Sequence, residues 1–449
     1  MARPRFSSSE DVFAYLMGFV NVEKGQKTEF KLDRMLFLSA LLGNPHLGRI
    51  TVHVAGSKGK GSVSTMAASI LGAAGLKTGL YTSPHLLRWK ERIALSSGEM
   101  PEATLIAAME EILPFVDGKP ADFFPGAELP TYFELTTLVA FCAFRAEGCA
   151  AQVIEVGLGG RLDSTNIVEP DVSAITPIEL EHTQFLGDTI GKIAFEKAGI
   201  IKRGKPVCLA RQKEEALEVF RGRAAESGSA LRLVGADIDA AEARISPSGT
   251  SCRLVPGRNA EASLKALLTA DGLDVHCPII GAIQAQNMAL ATMAAACALP
   301  GLAPEHVIRG LANARLPARF ELVRENPPVV LDGAHTPESV RLTVDTARSL
   351  FPGPKVLLFA CAYDKRHAEM ASLLAPHFEA IVITKPGTFK TSDPKAVYAS
   401  FAALRPDARL EEDTAAALAL AAGEAEARGA ALLVTGSFYL CAEAKAFFS

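Results

Sequence analysis

The chain has 449 residues, more than the roughly 250–300 at which one hydrophobic core stops growing, so two domains are expected. Its 49% hydrophobic and 21% charged residues are those of an ordinary soluble globular protein and exclude a disordered or membrane one. A net charge of −4 without a basic tail or stripe excludes general nucleic-acid affinity, so any anionic ligand must meet local positive charge.

In chain order, the stretch MARPRFSSSEDVFAYLMGFV sets Glu10 and Asp11 ahead of an apolar patch. Glu23 and Lys24 follow it, with no small-residue cleavage site. An amphipathic helix is expected there, not a signal peptide. Short apolar strands then alternate with helical patterns: ITVHVAG, KTGLYTS, AQVIEVG, DVSAITP and KPVCLA. This alternation predicts a largely parallel sheet with helices on both faces. Between about Ala230 and Gly281 the turn signals SPSG and VPGRN predict a small antiparallel insertion, followed by a long helix from near Gln284. The Ala-rich run at 289–298 stops at Pro300, well short of the ~20 apolar residues that span a bilayer, so no membrane helix is expected. Beyond Pro304 and Pro317 the alternation resumes with PPVVLDGAH, KVLLFACA, EAIVIT and ALLVTGS. A boundary near 313 divides the chain into domains 1–312 and 313–449. The eight cysteines show no C-x-x-C pair or zinc spacing, as in a reduced cytoplasmic protein.

Five stretches carry chemistry. VHVAGSKGKGSVSTM nearly spells a phosphate-binding loop, but Gly61 follows Lys60 and the hydroxyl arrives one place late, at Ser62. Strand, glycine loop and helix in succession suit backbone N–H groups that cradle phosphates, with Lys60 reaching the outer oxygens. A tight strand-to-helix turn explains the glycines equally well, but not two lysines where like charge opposes the helix dipole. In QVIEVGLGGRLDSTN, Glu155 lies in an apolar strand and must have a partner, either Mg²⁺ beside a nucleotide or a core Arg or Lys. In EHTQFLGDTIGKIAFEKAGI, Ile190, Ile193, Ala194 and Ile201 form an apolar arc with Lys197 in its middle, where desolvation depresses an amine's pKa. A snorkelling lysine is the plain alternative, and His182 alone reads as an ordinary turn histidine. VVLDGAHTP sets Asp332 and His335 at a strand's carboxyl end, where α/β sheets bind ligands, and LPARFE sets Arg319 in the linker. A helix cap and a solvated charge explain these two as well.

Taken together with KLDRMLFLSALLGNPH, YTSPHLLRWKERI, QAQNMALA and LLVTGSFYL, these stretches resemble the folylpolyglutamate synthase and dihydrofolate synthase family of the Mur ligase superfamily over nearly the whole chain. The resemblance implies an α/β fold. A P-loop NTPase-like, mostly parallel N-terminal domain with a small antiparallel insertion would precede a smaller Rossmann-like C-terminal domain. It implies a phosphate loop from Gly56, Ser57, Lys58, Gly59, Lys60, Gly61 and Ser62, with Asn287 at the adenine. Arg319, Asp332 and His335 would close over the ATP. Two Mg²⁺ sites would use Ser62, Ser83, Glu155 and His182, together with a carbamylated Lys197, and a monovalent cation would accompany them. Lys60, Lys197 and His182 would be catalytic. Tyr132 and Phe133 would line the pterin pocket, and Arg88 and Asp163 would meet substrate. Lys58, Glu181, Thr336 and Arg366 depart from the family pattern, which favours Asn, Asp, Asn and Asp at these places.

The implied reaction passes the ATP γ-phosphoryl group to a pteroate or folate carboxylate, and the amino group of L-glutamate then attacks the acyl phosphate. Dihydropteroate or a reduced folate, glutamate and a monomeric cytoplasmic enzyme, with no nucleic-acid or membrane partner, are implied with it. A bifunctional dihydrofolate synthase/folylpolyglutamate synthase is expected. The alternatives are a folylpolyglutamate synthase alone, a cell-wall Mur ligase, disfavoured by TSPHL and by the lack of a separate uridine-binding domain, and a regulatory P-loop ATPase.

Overall fold

The computed structural model describes residues 6–20, 31–387 and 392–448. Glu23 and Lys24, which flank the first predicted helix, lie outside them. That helix forms over Ser9–Leu16, and Ser8 caps it by accepting from the Asp11 N–H.

Strands β1 (Ile50–Ala55), β2 (Thr78–Tyr81), β3 (Ile93–Leu95), β4 (Gly98–Glu99), β5 (Ala151–Glu155), β6 (Val172–Ile175), β7 (Val207–Leu209) and β8 (Leu231–Leu233) build one eight-stranded sheet. Its order is β4-β3-β2-β5-β1-β6-β7-β8, parallel from β2 to β8, with β3 and β4 added antiparallel at one edge. β5 and β6 are buried along their whole length, which is why their sequences read as apolar runs without alternation. Val54 of β1 stands level with Glu155 on one side and Ala174 on the other. The carboxyl ends of three adjacent strands therefore open side by side, where ligands of such sheets collect.

Helices Lys60–Ala73, Ile283–Ala298 and Pro304–Asn313 pack together, tied by the Ser69 hydroxyl donating to the Gly310 carbonyl at 2.6 Å. A second apolar cluster joins helices Glu102–Val116 and Tyr132–Ala146 to Tyr81 and Ile154. Within the second of these helices, Glu134 pairs with Arg34 (Nε–Oε1 3.1 Å), and both are buried. The insertion forms a three-stranded sheet of β9 (Ile238–Ser246), β10 (Gly249–Pro256) and β11 (Leu273–Cys277), ordered β11-β10-β9. Only Pro247 and Ser248 connect β9 to β10, so these two run antiparallel as a hairpin.

A six-stranded sheet follows, ordered β12-β13-β17-β14-β15-β16, from β12 (Glu321–Glu325), β13 (Pro328–Asp332), β14 (Lys355–Phe359), β15 (Ala380–Ile383), β16 (Arg409–Leu410) and β17 (Ala431–Thr435). All its pairings are parallel except β12 with β13. The sequence pattern marks β13, β14, β15 and β17 but misses β12 and β16. ELVRE is a half-buried edge strand without an apolar run, and β16 is two residues long.

The chain divides into two compact units. The first is Met1–Ala243, Ser251–Cys277 and Ile283–Ala314, and the second is Arg244–Thr250, Pro278–Ala282 and Arg315–Ser449. No described helix is long and apolar enough to cross a membrane.

Candidate active site

β1 runs into Gly56 with φ 136°, and the loop ends on Gly59 with φ 90°, which caps helix Lys60–Ala73. Both angles lie where an L side chain is strained. Space forbids one as well. A Cβ on Gly56 would stand 1.8 Å from Thr176 Oγ1, and one on Gly59 would stand 2.8 Å from Asn287 Oδ1. Asn287 is held by its own helix, donating to Gln284 Oε1 at 2.9 Å. These glycines let the loop backbone press against Thr176, just past β6, and against the Ile283–Ala298 helix, and the Ser57 and Lys58 N–H groups donate to the Pro177 carbonyl at 3.0 and 3.5 Å.

Lys60 curls over this loop, its Nζ donating to the carbonyls of Gly56 at 3.0 Å and Ser57 at 3.4 Å. Lys197 reaches the same Gly56 carbonyl at 2.8 Å and Glu181 Oε1 at 3.1 Å, from the buried face of helix Ile190–Ala198. Ile201, placed by the sequence pattern on the same helical arc, is buried but lies beyond the helix end, because Gly199 is its C-cap. Burial drives the Lys197 ammonium down to about 8, with Glu181 opposing and Lys60 reinforcing the drop. For Glu181 burial acts upward, but Lys60, Lys197, His182 and Lys58 outweigh it and hold the carboxyl at about 2. Glu181, read in the sequence only as a departure from a pattern, is thus the hub of the local charges. Its neighbour in sequence gave the signal: a carboxylate six residues past the end of β6, beside a histidine.

His182 caps the short Thr183–Leu186 helix with φ 47° and ψ 38°. A left-handed backbone at a non-glycine residue costs on the order of 1–3 kcal/mol and collects at functional sites. Glu155, the last residue of β5 and 3% exposed, accepts from the Ser83 N–H at 3.1 Å. Ser83 opens the segment SPHLLRWKER, which Glu91 organises by accepting from the N–H groups of Leu86, Leu87 and Arg88. The structure therefore brings Gly56 to Ser62, Lys197, Glu181 and Asn287 together, and sets Glu155 and Ser83 at the end of the strand next to β1.

The proposed substrate residues are placed differently from one another. Phe133 is half-buried and packs on Gly157 of the GLGG turn. Tyr132 is 1% exposed beneath the Arg92 guanidinium, and Arg92 donates to His85 Nδ1 at 2.8 Å. Asp163 is also buried, accepting from Leu158 N at 2.8 Å and from the N–H and hydroxyl of Thr165. Burial raises its carboxyl above the usual range, against those bonds. In this structure Tyr132 and Asp163 present almost no surface. Arg88 is exposed and ion-paired with Glu99, which also takes Lys90 at 2.7 Å, so the two cations share one carboxylate.

In the second unit, Asp332 ends β13 and accepts from Phe320 N at 2.8 Å, Ala334 N at 3.0 Å and Thr343 Oγ1 at 2.7 Å. Arg319 belongs to this unit rather than to a free linker, its guanidinium 4.4 Å from the centre of the Phe438 ring. His335 meets the same ring edge-on, and its Nδ1 lies 2.8 Å from the Gly333 carbonyl. Thr336 caps the Pro337–Leu350 helix, a role open to Asn as well. Arg366 pairs with Glu369 and Glu338.

Among the described residues no three His, Cys, Asp or Glu side chains cluster in a way that holds a metal. The donors that fit Mg²⁺ are of another kind: the Glu155 carboxylate with the hydroxyls of Ser62 and Ser83, a hard oxygen set of the sort that ion shares with phosphates. An ammonium at Lys197 does not fit that role.

Two family models match the chain: the Mur ligase middle domain over residues 54–296 and the Mur ligase glutamate ligase domain over 318–438. The chain is 33% identical over 416 residues to folylpolyglutamate synthase of Lacticaseibacillus casei, covering 91% of this chain and 92% of that one. It is 36% identical over 408 residues to a probable bifunctional folylpolyglutamate synthase/dihydropteroate synthase of Haloferax volcanii, where the match spans 90% of this chain but only 46% of that one. The fold superposes on Mycobacterium tuberculosis folylpolyglutamate synthase complexed with ADP and AMPPCP, with a TM-score of 0.87, 26% identity and 98% of both chains covered. With the glycine cradle and lysine cluster in place on a Mur ligase sheet, the chain belongs to the folylpolyglutamate synthase family, whose members are ATP-dependent ligases.

Proposed function

We propose that the protein joins L-glutamate to dihydropteroate and to folyl-(poly)glutamates at the expense of ATP, as a bifunctional dihydrofolate synthase/folylpolyglutamate synthase. The observation that carries this reading is the lysine-rich glycine cradle of Gly56 to Ser62 beside the buried acid Glu155. Forming an amide from a carboxylate in water is uphill, so the carboxylate is first activated. Its oxygen attacks the γ-phosphorus and ADP leaves. The glutamate amine then attacks the acyl phosphate, and inorganic phosphate departs.

The protein's part is position and charge. The N–H groups at the helix start hold the phosphates, and Lys60 swings from its own loop carbonyls to the outer phosphate oxygens. Asn287, fixed by Gln284 against Gly59, is assigned to the adenine. Arg319, Asp332 and His335 of the second unit are assigned to the nucleotide on family resemblance. Phe133 and Arg88 are assigned to the folate, and for Arg88 this requires exchange of its Glu99 partner. Glu155, Ser62, Ser83 and His182 would hold Mg²⁺, which when bound would supply positive charge against the transferred group.

Lys197 joins that set as a carbamate. Its neutral amine, favoured by burial, adds to CO₂ and releases a proton, which turns an ill-suited ammonium into a carboxylate. Glu181 holds the amine in place until then.

The test offers purified protein ATP, Mg²⁺ and glutamate with either dihydropteroate or tetrahydrofolate. Glutamate-dependent ADP release with both supports the bifunctional reading. Release with tetrahydrofolate alone reduces it to folylpolyglutamate synthesis. Hydrolysis indifferent to glutamate overturns it in favour of a regulatory ATPase.

A further inference from the structure

Cys208 lies in β7 and Cys297 in the last turn of helix Ile283–Ala298, both away from the cradle residues, and their sulfurs are 3.8 Å apart. We propose that this pair is an oxidisable dithiol, in which Cys297 reacts with a peroxide and Cys208 resolves the product into a disulfide.

The geometry separates the two roles. Cys208 is completely buried, whereas Cys297 is partly open to solvent. Arg232 of β8 stands beside Cys297 and pairs with Glu261 at 2.7 Å. A partly exposed sulfur next to a guanidinium is the setting in which a thiolate forms and attacks. The hydrogen bond from Cys208 holds Cys297 below the ordinary thiol range against the upward push of partial burial, and Arg232 adds to it. Other thiols differ in kind: burial pushes Cys142, Cys252 and Cys361 up to about 12, which leaves them inert. A disulfide bond of about 2.05 Å needs the two sulfurs to close by roughly 1.8 Å.

The chemistry balances with one peroxide. The Cys297 thiolate attacks one peroxide oxygen, the O–O bond breaks, and the departing hydroxide takes up the proton released when the thiolate formed. The Cys208 sulfur then attacks the sulfenic sulfur, and its proton leaves with the hydroxyl group as water. Two thiols are oxidised, and one hydrogen peroxide is reduced to two waters. The bond would fasten the final turn of the helix to β7. The same helix carries Asn287 against Gly59, and thiol exchange would release it.

The test treats the full-length protein with a small excess of hydrogen peroxide, counts thiols after denaturation and maps peptides without reduction. The expected result is loss of two of the eight thiols, a Cys208–Cys297 cross-linked peptide, and full recovery on adding dithiothreitol. Cys297→Ser should lose no thiol at the same dose. Cys208→Ser, or Cys208→Ala where serine is not tolerated in the core, should leave a sulfenic acid on Cys297 that dimedone traps. Unchanged thiols, Cys297 driven to sulfinic acid with Cys208 intact, or equal loss in Cys297→Ser each overturns the assignment. None of these readouts depends on ligase activity.

Discussion

The two mostly parallel sheets each end a strand in an acid, Glu155 on β5 and Asp332 on β13, yet the two carboxylates keep different company. Asp332 is enclosed by donors of its own fold: two backbone N–H groups and a threonine hydroxyl. Around the end of β5 and its neighbours the fold instead gathers Lys58, Lys60 and Lys197 about the single carboxylate of Glu181, together with two glycines in left-handed backbone and a strained histidine. The first unit thus concentrates positive charge and close backbone approach at one strand end. The second spends its polar groups on internal order. The first arrangement is the one that suits an anion as highly charged as a triphosphate, which is the site proposed above.

If that contrast is right, the largest effect falls on Lys197. Lys197→Ala should lower glutamate-dependent ADP release by about 10²–10³-fold, comparable with the loss of a strong transition-state contact, and short carboxylates should restore part of it. Mass spectrometry of gently handled wild-type protein should find a carbamate at that residue. Activity near wild type would leave the lysine a packing role only.

Next in size is the buried pair of the first unit. Arg34→Met strands Glu134 in the core and should cost about 3 kcal/mol in urea unfolding, while the double change with Glu134→Leu should recover most of it. Equal losses in single and double variants would mean that the pair contributes packing and no charge.

Acid should also distinguish the units. Burial, with Arg49 nearby, holds His46 at about 4, and burial, with Lys202, holds His53 at about 3, against an ordinary 6.5. The unfolded chain therefore binds protons first as pH falls below 6.5. Stability present above that pH is lost on the way down, to about 4 for His46 and about 3 for His53, at about 1.4 kcal/mol per pH unit for each histidine. Hydrogen exchange at pH 5 should show strands β1 and β5 opening more than β13 and β17, and His53→Gln should reduce the difference. The smallest effect is expected for Asp332→Asn, about 1–2 kcal/mol of second-unit stability from mismatched donors.

Much of this was legible in the chain. The glycine loop, the acid inside an apolar strand and the lysine on an apolar arc each violate a local rule, and such violations mark sites because a folded protein must compensate for them. β12 and β16 were not legible, since an edge strand with half-buried polar residues has no periodic signature. Nor was the partner of Lys197. Glu181 and Lys197 are sixteen residues apart in sequence and meet only because the β6 loop turns back over the helix. Arg34 and Glu134 lie a hundred residues apart, and no spacing announces them. The close approaches of Thr176 to Gly56 and of Asn287 to Gly59 explain why glycine stands at those places, a reason that the strand-loop-helix pattern alone does not supply.

The most direct measurement is a crystal structure of the protein with AMPPCP and Mg²⁺. The account predicts phosphate oxygens against the backbone of Gly56 to Ser62, with Lys60 turned onto them and a cation in contact with Glu155. A nucleotide bound elsewhere, or a cradle still closed by Lys60 on its own carbonyls at saturating ligand, would contradict it.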